Sequence, residues 1–334
     1  MYMTRRATGI VACLSLLAVL ICGSLAVGSN HIPLANVWQL LLHPDETFES
    51  VVVHQQRIPR TILVILVGAA LGVAGALMQS LTRNPLADPG VLGVNAGASL
   101  AVVLAVAIFG LTSIWFYLWF AFFGAALAAV VVYVLGGMGT SAATPARLAL
   151  AGVAISMVIS SFVQVVILND QNVYNEFRLW AAGSLENRGY PVILGVGGFI
   201  AAGLLLAFLC GPGLNAVALG EEAGKALGVR VVRLRVMVMI AVTLLAGAAT
   251  AAVGPIMFIG LGVPYIARIF SGPDQRWIIP FSALIAPAVM LCADIFARVV
   301  VMPQEVQTGI VTAILGGPVF VMLVRRSKIE VAAR

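Results

Sequence analysis

The stretch Met78–Gly97, MQSLTRNPLADPGVLGVNAG, is polar and broken by Pro85, Pro89, Gly90, Gly93 and Gly97, and it lies between two apolar runs. In lipid every backbone N–H and C=O needs a partner within the protein. A broken helix is therefore tolerated only where it lines a cavity or is buried against other segments. Such a break beside a membrane span points to a chain that moves something across the bilayer, not one that anchors a soluble part.

Outward from this break the chain is apolar almost throughout. Hydrophobic residues make up 61% of the 334 positions and charged residues 10%, and the mean hydropathy is +1.08. Average soluble proteins carry roughly 25% charged residues, so the composition is that of an all-α, polytopic membrane protein. At roughly 30 to 35 residues per span and connection, the length accommodates about ten transmembrane helices. The ten apolar segments are 9–27, 61–80, 91–110, 115–135, 147–168, 190–210, 233–253, 256–270, 278–297 and 307–324. The eighth is short, and its boundary with the seventh, at Gly254-Pro255, is the least defined. No connection has room for a soluble domain, so 1–334 reads as a single polytopic transmembrane domain.

Lys and Arg placement sets the orientation. With the N-terminus inside, 14 of the 19 basic residues fall in the cytoplasm and five outside: Arg57, Arg60, Arg178, Arg188 and Arg298. The positive-inside trend then places both termini in the cytoplasm. The pI near 9.5 follows from basic residues spread over short loops and does not point to nucleic acid. Cys13, Cys22, Cys210 and Cys292 fall within spans at no metal-ligand spacing and read as small apolar residues. Arg5-Arg6, the apolar run after it and Ser24-Leu25-Ala26 have the form of a cleavable signal. Retention is the better reading, because removal leaves nine spans and spoils the charge count. Gly224-Lys225 is followed by Ala226 and lacks the earlier glycine of a nucleotide-binding loop, so an ATP-driven motor would be another polypeptide.

Arg60 opens TILVILVGAALGVAGA and Arg235 opens VMVMIAVTLLAGAATA, in opposite directions across the membrane. Inverted repeats have that form, although glycine- and alanine-rich helices also resemble one another by composition. Gly68 and Gly72, Gly93 and Gly97, and Gly195, Gly197 and Gly198 are expected to let helices approach closely. Asp294 is the only acidic residue well inside a span. Arg298 follows one turn later, which suggests a structural pair, and a proton- or sodium-coupled site is the alternative. Arg57, Arg60 and Arg298 at outer span ends can fork to carboxylates or snorkel to headgroups. Phe177 and Trp180 fit either a substrate surface or an aromatic belt. His31, His43 and His54 in the first outer loop read as surface residues. The spans hold no clustered acid, base, nucleophile or metal set, so no catalytic residue is assigned and a membrane-embedded enzyme is disfavoured.

Four segments occur in fixed order: Arg57-Ile-Pro-Arg60, GALMQSLTRNPLADPGVLGVNAGAS (75–99), LGEEAGKALGV (219–229) and GPIMFIGLGVPYIAR (254–268). With Ala293-Asp294, Arg298 and Leu315–Pro318 they resemble the FecCD/cobalamin-permease family of type II ABC importers along essentially the whole chain. The second segment and FRLWAAGSL (177–185) look most like the enterobactin-type ferric siderophore permeases.

The resemblance implies a permease of the bacterial inner membrane that pairs with a homologous subunit, with a heterodimer favoured over a homodimer. Two ATP-binding subunits carry ATP and Mg, this chain binds no cofactor or metal of its own, and a periplasmic or lipid-tethered binding protein delivers ferric siderophore. Haem or cobalamin are the alternative cargoes, and an ion-coupled carrier is the alternative mechanism. Carried onto this chain, the family's docking residues are Arg57, Arg60 and Arg298. Its ATPase-coupling helix is Leu219, Gly220, Glu221, Glu222, Lys225, Leu227 and Gly228. Its cytoplasmic gate is Asn84, Pro85 and Leu86, with Thr144 on the neighbouring 141–145 loop.

Overall fold

The computed structural model describes residues 2–28, 32–111, 113–137 and 145–332, and among them regular structure is entirely helical. In chain order the helices are α1 (Tyr2–Ala26), α2 (Leu34–Leu42), α3 (Phe48–Val51), α4 (Ile58–Thr82), α5 (Val94–Phe109), α6 (Ile114–Gly137) and α7 (Pro145–Asn169). They continue with α8 (Gln171–Ala181), α9 (Tyr190–Ala218), α10 (Glu221–Ala226), α11 (Val231–Val253), α12 (Ile259–Ser271), α13 (Gln275–Val299) and α14 (Thr308–Ala332). A π turn, Val52–Arg57, joins α3 to α4, and a 3-10 turn, Pro89–Leu92, precedes α5.

Each of the ten apolar segments lies on one of these helices. Seven are long and apolar enough to cross a membrane, on α1, α4 with its lead-in, α6, α7, α9, α11 and α13. Val94–Phe109, Ile259–Ser271 and Thr308–Met322 are shorter apolar stretches. The structure also forms α2 and α8 inside the connections between the apolar segments.

Helix α4 is the hub, with α11, α12 and α13 packed around it. Gly68, Gly72 and Gly75 form a stripe on one face of α4. A Cβ at Gly75 would lie 1.9 Å from the Gly260 carbonyl oxygen, at Gly72 2.8 Å from that of Ser282, and at Gly68 2.8 Å from the Pro287 Cα. Close backbone approach replaces the hydrophobic drive that lipid cannot supply. Gly97 and Gly124 pack α5 on α6 in the same way. Gly197 and Gly198 do not: a Cβ at either meets nothing within 4 Å. They lie on the open side of α9, so the expectation that they pack helices is corrected.

Helices α4 and α11 run antiparallel, because the end of α4 (Leu81, Arg83) and the start of α11 (Val231, Arg235) line one cavity. The break opened by the sequence is shorter than the sequence suggested. Helix α4 runs through Met78 to Thr82, and Arg83 ends it in the left-handed region at φ 51°. Local bonds satisfy the backbone that follows. Asn84 accepts from the Leu86 N–H at 3.0 Å through Oδ1, and Asp88 accepts from the Gly90 N–H at 2.8 Å. Gly93, at φ 73°, then turns the chain into α5. Helix α11 is likewise separated from α12 by an unwound stretch, with Gly254 at φ 79° and a Cβ there only 2.2 Å from the Trp180 carbonyl oxygen. The start of α12 therefore sits beside Gly75 in the interior of α4, which is why this eighth segment is short.

Candidate functional site

Two polar regions cap the apolar bundle. At one end, Asp294 of α13 is fully buried. Its Oδ1 accepts from Arg60 Nε at 3.1 Å and Nη2 at 2.8 Å, and from Thr308 Oγ1 at 3.0 Å. Its Oδ2 pairs with Arg298 one turn on. Arg298 also donates to the Ser24 carbonyl oxygen at 2.7 Å and to Ser24 Oγ at 3.0 Å. Arg60 donates its remaining fork to Glu305 Oε2 at 2.5 Å. Arg57 donates to the Leu25 and Ala26 carbonyl oxygens at 2.6 and 2.8 Å. One carboxylate thus ties α4, α13 and α14 together, and Arg298 extends the tie to α1.

This network revises the reading of the three arginines. Arg57, Arg60 and Arg298 are 5%, 9% and 2% exposed. Their forks are directed at groups of the same chain, so they are not presented as a free docking surface. Burying a guanidinium in an apolar bundle demands charge and hydrogen-bond partners, and the α1 and α14 termini and the Glu305 loop provide them. The Asp294–Arg298 pair suggested by spacing is present.

Beside the network is a polar cavity of about 690 Å³, bordered by Gln55, Gln56, Arg60, Glu186, Arg188 and Glu305. Among the described residues Arg188 has no carboxylate in ion-pair range and donates only to the Ser184 carbonyl oxygen at 3.4 Å. Burial pushes its guanidinium down to about 10. Trp180 is 2% exposed, so it belongs to the core and forms neither a substrate surface nor a belt. His43 is exposed and His54 half-buried, while His31 lies outside the described residues. Among the described residues no three His, Cys, Asp or Glu side chains are grouped to hold a metal.

At the opposite end, α10 is a six-residue helix set between Gly220 at φ 125° and Gly228 at φ 82°. Both glycines sit where a Cβ is disfavoured, which gives the connection its two sharp bends. Glu221 pairs with Arg235 of α11. Gly224 is buried on α9, where a Cβ would come 3.1 Å from Val217 Cγ2. Glu222 and Lys225 are exposed, and Leu219 and Leu227 are 75% and 63% exposed. Apolar side chains so open on either side of a short polar helix have no packing role within this chain.

Asn84, Pro85 and Leu86 are exposed at the same end, next to α10 by way of Arg83, which donates to the Val217 carbonyl oxygen at 2.7 Å. Thr144 and the rest of the 141–144 segment lie outside the described residues. Sequence reading missed Arg83, Arg188 and Glu305. Glu305 stands in a connection whose course the sequence does not reveal. The charge of Arg188 was visible, but not that, among the described residues, no carboxylate pairs with it.

Comparison with known proteins agrees over the whole length. Residues 16–326 match the FecCD transport family. The chain is 42% identical to the ferric enterobactin transport system permease protein FepD of Escherichia coli K12, over 96% of both chains. It is 38% identical to the probable siderophore transport system permease protein YfiZ of Bacillus subtilis, over 95% of both. It is 35% identical to the hemin transport system permease protein HmuU of Yersinia pestis, over 94% of this chain and 94% of that one. Its fold matches a metal-chelate type ABC transporter solved in an inward-facing conformation, with TM-score 0.83, 24% identity, and 96% and 99% of the two chains covered. The chain belongs to the FecCD transport family and is a multi-pass membrane protein.

Proposed function

We propose that this chain is the membrane-spanning permease of an ATP-driven type II importer that brings ferric siderophore, of the catecholate enterobactin type, into the bacterial cytoplasm. The observation that carries the reading is the 42% identity to a ferric enterobactin permease over 96% of both chains. In this reading residues 1–334 form one domain of ten membrane-crossing helices in the inner membrane, with both termini cytoplasmic. The α10 end then faces the cytoplasm, in keeping with 14 of 19 basic residues on that side.

A homologous permease completes a central path, most simply as a heterodimer. Two ATPases, holding ATP and Mg, receive Leu219, Gly220, Glu221, Glu222, Lys225, Leu227 and Gly228. The exposure of Leu219 and Leu227 supports that assignment, because a partner groove would cover them. Asn84, Pro85 and Leu86, with Thr144, narrow the inner mouth of the path. A periplasmic or lipid-tethered binding protein docks on the arginine end. Arg57, Arg60 and Arg298 serve that contact by bracing its floor, since their donors are engaged within the chain.

The test is purification of this chain from native membrane, followed by reconstitution in liposomes with the subunits that accompany it. An ATPase pair and a second permease are expected, together with uptake of radiolabelled ferric enterobactin that requires MgATP and the binding protein. Uptake of hemin or cobalamin in place of the siderophore would move the cargo assignment. Uptake driven by a proton or sodium gradient with no ATPase present would sink the importer reading.

A further inference from the structure

We propose that Arg83 is a positioning residue that carries displacement of α10 to the Asn84–Leu86 turn. The inference rests on the importer reading, in which a motor subunit moves α10.

Arg83 combines two unusual features. Its backbone is left-handed, at φ 51° and ψ 32°, a conformation that a residue with a Cβ adopts at a cost. Among the described residues only Asn187 and Phe258 share a positive φ without being glycine. Its side chain crosses from the end of α4 to the end of α9, where Nη2 donates to the Val217 carbonyl oxygen at 2.7 Å. That carbonyl belongs to the last turn of α9 and also accepts from the Gly220 N–H at 3.0 Å. A cation is favoured at the carbonyl end of a helix, so the bond offsets the backbone conformation that aims the side chain.

The same residue of α9 is the seat of α10. The Cα of Gly224 lies so close that an added Cβ would be 3.1 Å from Val217 Cγ2 and 3.4 Å from Val217 Cα. No flexible side chain from α10 cushions this contact, so a push on α10 reaches Val217 directly. On the far side of Arg83 the turn is closed by its own bonds, Leu86 N–H to Asn84 Oδ1 at 3.0 Å and Ala87 N–H to the Asn84 carbonyl oxygen at 3.1 Å. It would therefore move as a unit about Arg83. A cavity of about 130 Å³, bordered by Arg83, Val217, Glu221 and Arg235, leaves room for the shift.

Two states follow. With the Val217 carbonyl in reach, Arg83 is held left-handed. When α10 carries that carbonyl away, Arg83 relaxes towards negative φ and swings Leu86. An element with two arrangements biased from one side is the physical form a coupling route requires.

The experiment uses the assembled transporter with the four native cysteines replaced. The chain carries one spin label at Lys225→Cys or at Leu86→Cys and a second at Gln304→Cys, exposed at the arginine end, and distances within the chain are read with and without MgATP trapped by vanadate. In the wild-type background both label pairs shift. In R83N, whose residue tolerates the left-handed backbone but cannot reach Val217, the Lys225 shift persists and the Leu86 shift is lost. R83K, which keeps the cation, restores part of the Leu86 shift. ATP hydrolysis in R83N continues while uptake per ATP falls. A Leu86 shift of wild-type size in R83N overturns the inference, as does loss of both shifts in a folded complex, which would make Arg83 merely structural. If neither label pair shifts in the wild-type complex, the importer reading itself fails, and the inference with it.

Discussion

Replacing Asp294 by Asn removes one charge from the centre of the arginine end while conserving volume. Asp294 is fully buried and accepts from Arg60, Arg298 and Thr308. After the change Arg60 still holds Glu305. Arg298 is left with neutral acceptors at Ser24 and Val27, and its Nε already lacks a partner. Breaking a buried pair from one side costs about 3–5 kcal/mol, because the other charge stays behind uncompensated. Glu305→Gln is the internal contrast: its partner Arg60 keeps Asp294 and the contact borders an open cavity, so a loss of about 1 kcal/mol or less is expected. The assay is thermal unfolding of the purified protein in detergent, read beside uptake per folded molecule. Asp294→Asn should lower the midpoint by roughly 5–10 °C and Glu305→Gln by roughly 2 °C or less. Adding Arg298→Met to Asp294→Asn should recover much of the loss, since the stranded charge leaves with its partner. An Asp294→Asn protein that melts like wild type yet transports nothing would refute the structural reasoning and make the carboxylate part of an ion route.

Glycine substitutions should separate packed from open faces. Gly75→Val drives a side chain into the Gly260 carbonyl and should prevent α4 and α12 from seating, seen as loss of folded protein in size-exclusion profiles. Gly262 meets nothing within 4 Å, so Gly262→Trp should leave the chain folded while abolishing co-purification of the second permease. Intact co-purification would show that the partner lies elsewhere. Arg188→Gln removes a cation held near a pKa of about 10 by burial, and should raise the thermal midpoint. The gain should be roughly 1 kcal/mol once partial solvent screening is allowed for; a fall in midpoint would mean that the charge has a stabilising partner. Amide exchange should be slow around Asp294 and fast across 219–229, because α10 is short and edged by glycines. Equal protection at both ends would contradict this contrast.

The helices were legible because lipid forces long apolar runs with little ambiguity, and the ten segments read from hydropathy all fall on helices. The break around Asn84 and the bends at Gly220 and Gly228 were legible because proline and glycine mark them locally. The arginine end was only half legible. Arg298 lies one turn from Asp294, and that pair could be read from spacing. Arg60 reaches the same carboxylate from 234 positions away, and Glu305 reaches Arg60 across 245. Those separations leave no local signal, so three arginines that look free in sequence are consumed in the fold. Helices α2 and α8 were missed because short amphipathic stretches resemble polar connections. Trp180 was misplaced because its burial depends on the unwound Gly254 segment folding back over α8.

The two ends of the bundle also differ in how they can move. At the arginine end, parting α4 from α13 breaks the buried Arg60–Asp294 pair, and parting α14 removes the Thr308 hydroxyl from the same carboxylate, so α4, α13 and α14 are held as a unit. The glycine stripe on α4 extends that unit down to α12, because backbones in contact have no side chains to repack. At the α10 end the side-chain ties include the Glu221–Arg235 ion pair, the bond from Arg83 to Val217, and the Asn215 contact with Asp274 at 2.6 Å, where Asp274 also pairs with Arg6 at 3.7 Å; none of them joins three helices at one buried charge. A force applied at α10 therefore meets little local resistance, yet cannot be absorbed within α4. It must either reposition the short turn after Arg83 or tilt the whole α4 unit against its neighbours. A gate at the weakly tied end and a braced floor at the other are consistent with both movements. The break between Thr82 and Val94 is where they would first diverge.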